Sequence, residues 1–549
     1  MLFRRFYDEN LAQASYMIAC EKTREAIVVD PNSDVAQYTR AAGSDRVRIA
    51  HVTETHIHAD FLSGAHALAK AAGATLHLSG EGGKEWGYAS AALEGANLLR
   101  DGSDVDIGQI RVRAAHTPGH TPEHLSFFVS DLARGQDPVG ALTGDFVFVG
   151  DVGRPDLLER TAGVKGSTEG SARELFRSLG KLRAEPDHLQ LWPGHGAGSA
   201  CGRSLGSMPQ STLGYEKLFN WAFAEMSEEE FVAKVLQDQP VPPRYFAVMK
   251  RVNRLGAEQP KRAEPAWMGS TELEGAIGGR ATVIDTRSAD NFAAGHVPGT
   301  LNIPLGKSFL NWIGALVPET EDFYIITETD SDEAMKNVLG DLCKIGLTRV
   351  AGVFRSDVLR EWKSRRGGLE HVSQLEPTDL KKVAGKDGLQ VVDVRSPEEW
   401  SGGHLPGAIH IPLAQLPDRF RELDVTAPIV VHCRGGGRSS IATSFLKSQG
   451  ASDISNLTGG FDEWVAEGFE VESGESEKNV VGRKSAKSIN GGNSAKTSSG
   501  RTSAKSAHRR KSRTSPTARN AAKRAGGRND ATSASGRQSV KSSRSRPKR

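Results

Sequence analysis

The sequence predicts a multidomain α/β protein that ends in a basic tail, and three observations carry that prediction. The chain has 549 residues, too many for one core at roughly 100–200 residues per domain. The segment Val283–Leu305 recurs without gaps as Val391–Leu413, 108 positions later, with 11 of 23 residues identical. Charge is also segregated. From Arg483 to Arg549 there are 20 Lys/Arg against a single acid, Asp530, a net of +19. Residues 1–482 then hold 50 basic and 66 acidic residues, a net of −16, and the formal total of +3 describes neither part. A body without positive surplus argues against a basic nucleic-acid-binding globule.

Other classes fall on composition. MLFRRFYDEN opens with two arginines but no apolar run follows, so no secretory signal is expected. No stretch of 18 or more apolar residues exists, so no membrane span is expected. Cys20, Cys201, Cys343 and Cys433 are far apart, unlike a disulfide framework, and a reducing cytoplasm is expected.

The elements follow in chain order. Residues 1–255 alternate strand and helix: Ala26–Asp30 and Arg48–Thr53 are β-rich, Gly64–Ala72 reads as helical, and Ser227 with Glu230 forms a capping box. Residues 256–269 are polar and Pro-containing, a linker. The repeat places one small domain at 270–366 and a second at 375–472. Each has a buried strand ending in Asp-x-Arg, a helix, Gly-His-x-Pro-Gly and another strand, which is α/β with a parallel sheet. The tail, 476–549, has no aromatic residue or Leu from Arg483 on and is expected to be disordered.

Ten of the 16 histidines precede residue 200. His56, His58 and Asp60 are two apart in THIHAD, after an apolar strand, so in an extended segment they face one way. HTPGHTPEH (His116–His124), LTGDFVFVGD (Leu142–Asp151) and WPGHG (Trp192–Gly196) each set a His or Asp in a Gly- or Pro-rich turn. For His51, His66, His77 and His188 a structural role is favoured, while His116 and His124 are ambiguous. Cys201 lies either near this site or in plain packing, and Cys20 and Cys343 are expected in the core.

These four motifs in order resemble the metallo-β-lactamase fold, an αββα sandwich. The match is nearest to its persulfide dioxygenase (sulfur dioxygenase) branch and its sibling, the thioester hydrolase glyoxalase II. Two-metal members carry His directly after the motif Asp, where this chain has Phe61. The resemblance therefore implies one metal, held by His56, His120 and Asp145. Two imidazoles and a carboxylate suit Fe(II) and oxygen chemistry, with Zn as the alternative. It implies His58, Asp60 and His195 as outer partners or additional ligands, and Arg154 as an anion contact for substrate.

IVVHCRGGGRSS, Ile429–Ser440, is a strand running into a glycine loop and a helix from Ser439. Amide groups of Gly435, Gly436 and Gly437, a helix N-terminus, Arg434 and Arg438 all favour a thiolate at Cys433, the nucleophilic form. With Asp393-x-Arg395 and Gly403–Gly407, this resembles rhodaneses (sulfurtransferases). Four residues between Cys433 and Arg438 make a loop one residue shorter than related phosphatase loops, which implies sulfur transfer through a Cys433 persulfide. In the first copy, FYIIT runs into ETDSDEA, with Glu328 expected near the cysteine position. That copy is read as inactive, a spacer or docking surface.

The resemblance thus implies oxidation of a low-molecular-weight thiol persulfide (glutathione or similar) by O2 to sulfite, and sulfur transfer to sulfite giving thiosulfate. A homo-oligomer is expected. Two rivals stand: a two-metal thioester hydrolase, and a persulfide carrier or sensor without turnover. The tail is weighed evenly between weak polyanion contact and a solubilising extension.

Overall fold

The computed structural model describes residues 1–473 except 163–165, 204, 238, 240, 258–263, 330 and 387. The basic tail, and residues 258–263 of the expected linker, lie outside the described residues.

Two six-stranded sheets make the N-terminal part. The first runs β1 (Leu2–Asp8), β2 (Gln13–Ala19), β3 (Glu25–Val29), β4 (Arg48–Thr53), β5 (Thr75–Ser79) and β6 (Asn97–Leu99) in spatial order. It is antiparallel through β3 and parallel from there to β6. The second contains β7 (Asp104–Ile107), β8 (Ile110–His116), β9 (Leu125–Asp131), β10 (Gly140–Gly144), β11 (Gln190–Pro193) and β12 (Ser211–Thr212), with β10 and β11 parallel.

The inner strands are buried along most of their length and send alternate side chains to opposite faces, so that each sheet has two apolar faces. Tyr16, Ile18, Ile27 and Val29 meet Val112, Phe127, Leu142 and Trp192 between the sheets. On the outer faces, Met17, Val28 and Val52 pack against helices Val35–Asp45 and Ala65–Ala72. Ala141 and Leu191 pack against helices Ser167–Arg183 and Glu228–Leu236. The layers are α/β/β/α, with the predicted capping box of Ser227 and Glu230 in place.

Each repeat forms a five-stranded parallel sheet. The first has β13 (Trp267–Met268), β14 (Thr282–Asp285), β15 (Leu301–Asn302), β16 (Phe323–Thr327) and β17 (Val350–Arg355), in the order β13-β17-β16-β14-β15. The second has β18 (Ser373–Leu375), β19 (Gln390–Asp393), β20 (Ile409–His410), β21 (Ile429–His432) and β22 (Ile454–Leu457), in the equivalent order β18-β22-β21-β19-β20. Trp267 and Met268, expected in the linker, instead pair with Val353 and Phe354 and open the first repeat's sheet.

One apolar cluster runs through both repeats into the N-terminal part, joining Ile313, Leu342 and Cys433 to Phe61, Tyr245, Phe246 and Met249. No helix among the described residues is long and apolar enough to cross a membrane.

Candidate metal centre and cysteine loop

The histidine turns of the N-terminal part converge at one end of the sandwich. His56, His120 and Asp145, each fully buried, offer ligand atoms within 4.8 Å of one another. His56 Nε2 and His120 Nε2 lie 4.0 and 3.6 Å from Asp145 Oδ2.

Hydrogen bonds fix the tautomers. The Thr55 hydroxyl gives its one proton to the Asp30 carboxylate, 3.0 Å away, so His56 Nδ1 donates to the Thr55 oxygen at 3.0 Å. His120 Nδ1 donates to the Arg154 carbonyl at 3.0 Å, and His195 Nδ1 to the Ala12 carbonyl at 3.1 Å. Nε2 of His56 and Nε2 of His120 are therefore bare lone pairs. Burial, then the charge of neighbouring His58, pushes His56 well below its ordinary pKa, and burial followed by His124 does the same to His120. Both oxygens of Asp145 are buried without a hydrogen-bond partner. Neutral imidazoles and an unsatisfied carboxylate facing each other are what a divalent cation requires.

The outer partners divide by geometry. His58 Nε2 donates to Asp30 at 3.0 Å. Burial would lower its pKa, but Asp30, Glu54 and Asp60 raise it to about 9, and His58 belongs to neither group of converging ligand atoms. His124, ambiguous in sequence, accepts the Asp145 amide on Nε2 at 3.2 Å and so aligns that ligand's backbone. His116 is turned to the Pro122 carbonyl.

His195 Nε2 faces Asp60 Oδ2 at 3.2 Å and Asp145 Oδ1 at 3.4 Å. Asp60, His195 and Cys201 form a second trio within 4.8 Å, all buried. Cys201 thus lies at the site, its thiol pushed well up by burial and by Asp60 and Asp145. Phe61 is buried with its ring 4.3 Å from His58.

Arg154 needs correcting. Its guanidinium is fully buried, bidentate to Asp156 at 2.8 Å, and reaches the Ala200 carbonyl. It serves the site through its backbone, by holding His120, and its side chain is not presented to a substrate.

Sequence reasoning missed the helix Tyr245–Arg254. Asn253 donates to the carbonyls of His58 and Phe61, both at 2.8 Å. Lys250 donates to the Ile57 carbonyl and pairs with buried Glu123, which accepts the Ile57 amide. These two side chains cross nearly 200 residues to grip the THIHAD loop, and no spacing pattern marks them.

In the second repeat Cys433 sits at the end of β21. Its sulfur accepts from the Gly436 amide at 3.1 Å and the Ser439 hydroxyl at 3.5 Å, at the start of helix Gly437–Ser448. Of the three glycines only Gly436 has a positive φ, +96°, so the curl that aims an amide at sulfur is its doing. Gly460, at φ +59°, lets the next segment pass: a Cβ there would come within 2.4 Å of the Cys433 carbonyl.

Arg438 forms a two-pronged pair with Glu399 at 2.7 Å. Burial would raise Glu399, but Arg438 and the Ser396 amide hold it at about 2. Arg434 is exposed and pairs with Asp462.

The first repeat keeps the frame. Arg287 binds Asp285 and the Gly295 carbonyl as Arg395 binds Asp393 and the Gly403 carbonyl. Its loop differs, and strand register corrects the expected equivalence. Asp285 pairs with Ile326 as Asp393 pairs with His432. Thr327, not Glu328, therefore stands in the place of Cys433. Glu328 matches Arg434 and accepts from Asn291 at 2.6 Å.

Comparison with known proteins agrees with this division. Residues 9–195 match the metallo-β-lactamase superfamily, and residues 270–354 and 376–467 each match the rhodanese-like domain. The crystal structure of a metallo-β-lactamase from Staphylococcus aureus subsp. aureus COL is 38% identical, with a TM-score of 0.58, covering 65% of this chain and 98% of that one.

The chain belongs to the metallo-β-lactamase superfamily and carries two rhodanese-like domains.

Shorter stretches of the chain have named relatives. The thiosulfate sulfurtransferase GlpE of Pseudomonas putida is 34% identical over 98 residues, 18% of this chain and 89% of that protein. The protein YqhL of Bacillus subtilis is 42% identical over 81 residues, 15% of this chain, which spans 64% of YqhL. The metallo-β-lactamase-fold domain supplies the metal centre, and the rhodanese-like pair supplies one loop with cysteine and one without.

Proposed function

We propose that the chain oxidises the outer sulfur of a thiol persulfide with O2 and transfers sulfur through Cys433, with residues 1–255, 270–366 and 375–472 as its three folded domains. One observation carries the reading: a buried set of two bare imidazoles and one unsatisfied carboxylate shares a chain with a cysteine loop built to hold an anion. Fe(II) held by His56, His120 and Asp145 would supply binding and activation of O2.

The chain's own residues do the rest. Thr55 and the Arg154 carbonyl keep both imidazoles in the ligating tautomer. Phe61 packs on His58 and Phe148 on His195, with ring centroids 4.3 and 6.1 Å apart, in one buried apolar cluster with Leu62 and Leu157 that keeps water away. Overall, one persulfide, one O2 and one water give one thiol, one sulfite and two protons.

At the second site the Cys433 thiolate attacks the outer sulfur of a persulfide. A sulfur–sulfur bond forms to Cys433, the donor's sulfur–sulfur bond breaks, and thiol leaves. Sulfite then takes that outer sulfur, giving thiosulfate and regenerating the Cys433 thiolate. The Gly436 amide and Ser439 hydroxyl stabilise the anion at each stage. Glutathione persulfide is the proposed substrate class, and sulfide detoxification the proposed role.

A second reading, a two-metal thioester hydrolase, is favoured by the trio Asp60, His195 and Cys201. Metal content and O2 uptake separate the two. Protein reconstituted anaerobically with Fe(II) is expected to hold one iron and consume O2 when glutathione persulfide is added. Two metals per chain, thioester hydrolysis and no O2 uptake would overturn the dioxygenase reading.

A further inference from the structure

We propose that the cysteine-less first repeat is a working part of the metal centre, with Lys344 as a positioning residue that fixes two of the centre's loops. The proposal rests on the reading that His56, His120 and Asp145 hold a metal.

Lys344 is the last residue of helix Asp332–Lys344. It makes contacts in two directions. Its ammonium, mostly buried, pairs with Asp8 at 2.5 Å and Asp341 at 2.7 Å. Its carbonyl, which has no partner within the helix at this position, accepts the Leu62 amide at 2.6 Å.

Both directions lead to the site. Asp8 accepts the amides of Asn10 and Leu11, at 3.0 and 3.1 Å, and Asn10 donates to Asp341 at 2.8 Å. The turn Asp8–Ala12 is thereby stitched to the helix end. Its last residue, Ala12, has φ +50°, a conformation that a non-glycine residue keeps only when its surroundings impose it. The Ala12 carbonyl holds His195 Nδ1, and His195 Nε2 faces Asp60 and ligand Asp145. On the other side Leu62 follows Asp60 by two residues, and Leu62 and Phe61 share an apolar cluster with Leu342, Ile345 and Leu347 of the repeat.

The fit is close. A Cβ on Gly346 would come within 2.4 Å of Met249, and one on Gly314 within 2.4 Å of the Tyr245 ring. Met249 and Tyr245 lie on the helix whose Lys250 and Asn253 grip the THIHAD loop. Near the corresponding helix end of the second repeat, Lys447 pairs instead with Glu370 at 3.2 Å. The first repeat, with Thr327 at the cysteine position, is a domain whose contribution is to hold its neighbour's metal site in shape.

The test is anaerobic titration of the full chain with Co(II), read by its absorption bands, with sulfur transfer from thiosulfate at Cys433 as a control for the intact fold. Lys344→Met is expected to weaken Co(II) binding about tenfold, the low end of what outer partners of metal ligands contribute, and to shift the bands. Sulfur transfer should be unchanged, and Lys344→Arg, which can pair with both carboxylates, should restore binding to within about twofold of wild type. Wild-type affinity and bands in Lys344→Met would overturn the proposal. Should that variant lose sulfur transfer as well, Asp8→Asn decides: it keeps the acceptor for Asn10 and Leu11 but removes the charge. Co(II) binding about threefold or more weaker supports the proposal, and unchanged binding overturns it. A wild-type chain that binds no Co(II) at all would overturn the metal-site reading, and the proposal with it.

Discussion

The two rhodanese-like repeats differ where chemistry is done and agree where folding is done. Both bury an Asp-x-Arg pair whose guanidinium closes on the carbonyl of a glycine, at 2.9 Å in one and 2.7 Å in the other. In both a histidine stacks on the aromatic ring four residues before it, Phe292–His296 and Trp400–His404. Past the central strand they part. The second repeat has Cys433, a left-handed Gly436 and Arg438 anchored by Glu399. The first has Thr327 in place of Cys433, Glu328 in place of Arg434 and Asn291 in place of Glu399. The frame folds without the loop's chemistry, so the fold does not depend on the nucleophile.

The largest effect expected separates the two sites altogether. Asp145→Asn should lose bound metal and lower O2 uptake by more than about 100-fold, beyond the 10–100-fold typical of outer partners, while Cys433 still takes sulfur from thiosulfate. Metal analysis and an oxygen electrode check this. Loss of sulfur transfer as well would mean that the sites are not independent.

Next comes an attempt to wake the silent repeat. Thr327→Cys in a Cys433→Ser background restores the thiol but not Gly436 or Arg438, and it leaves Glu328 beside the new sulfur. It is expected to transfer no sulfur above background, as measured by cyanide-dependent thiocyanate formation. Appreciable turnover would show that the loop's glycine and arginine are dispensable.

A smaller effect tests which glycine matters. Gly436→Ala, at φ +96°, should cost about 1–2 kcal/mol of stability. Gly435→Ala, exposed and with nothing within 4 Å of an added Cβ, should stay within about 0.5 kcal/mol. Denaturant midpoints compare them. Equal costs would contradict the assigned geometry.

The smallest effect is in pH. Glu399 is held at about 2 in the folded protein, against an ordinary glutamate near 4.5, so its folded pKa is depressed. Its pairing with Arg438 therefore stabilises fully above about 4.5, and that contribution is lost as pH falls toward 2. Glu399→Gln should remove this component of acid sensitivity between those values, seen as a flatter plot of melting temperature against pH. An unchanged plot would count against the pairing.

Much of this was legible in the sequence because the informative residues are close together along it. The metal motifs are short and each sits in its own turn, so the family resemblance they carry implied His56, His120 and Asp145 as the ligands. The repeat exposed itself by identity at a fixed offset. What escaped was carried by long-range backbone contacts. The Ala12 carbonyl that sets the His195 tautomer, Asn253 on the THIHAD loop and Lys344 on Leu62 leave no pattern in composition or spacing. Thr327 was missed by one position because the loops of the two repeats cannot be aligned by eye, whereas strand register settles them. Arg154 was misjudged because burial beside Asp156 is invisible in a motif, and Cys201 stayed open between the site and plain packing because only the fold brings it to Asp60 and His195.

The central claim is that one chain runs two separable chemistries, oxygen at the metal centre and sulfur transfer at Cys433. The most direct test is Cys433→Ser in the iron-loaded full chain, given glutathione persulfide and O2, with oxygen uptake and sulfur products measured together. The account predicts uptake equal to wild type, with sulfite as product and no thiosulfate from sulfur transfer. A parallel collapse of oxygen uptake would contradict it.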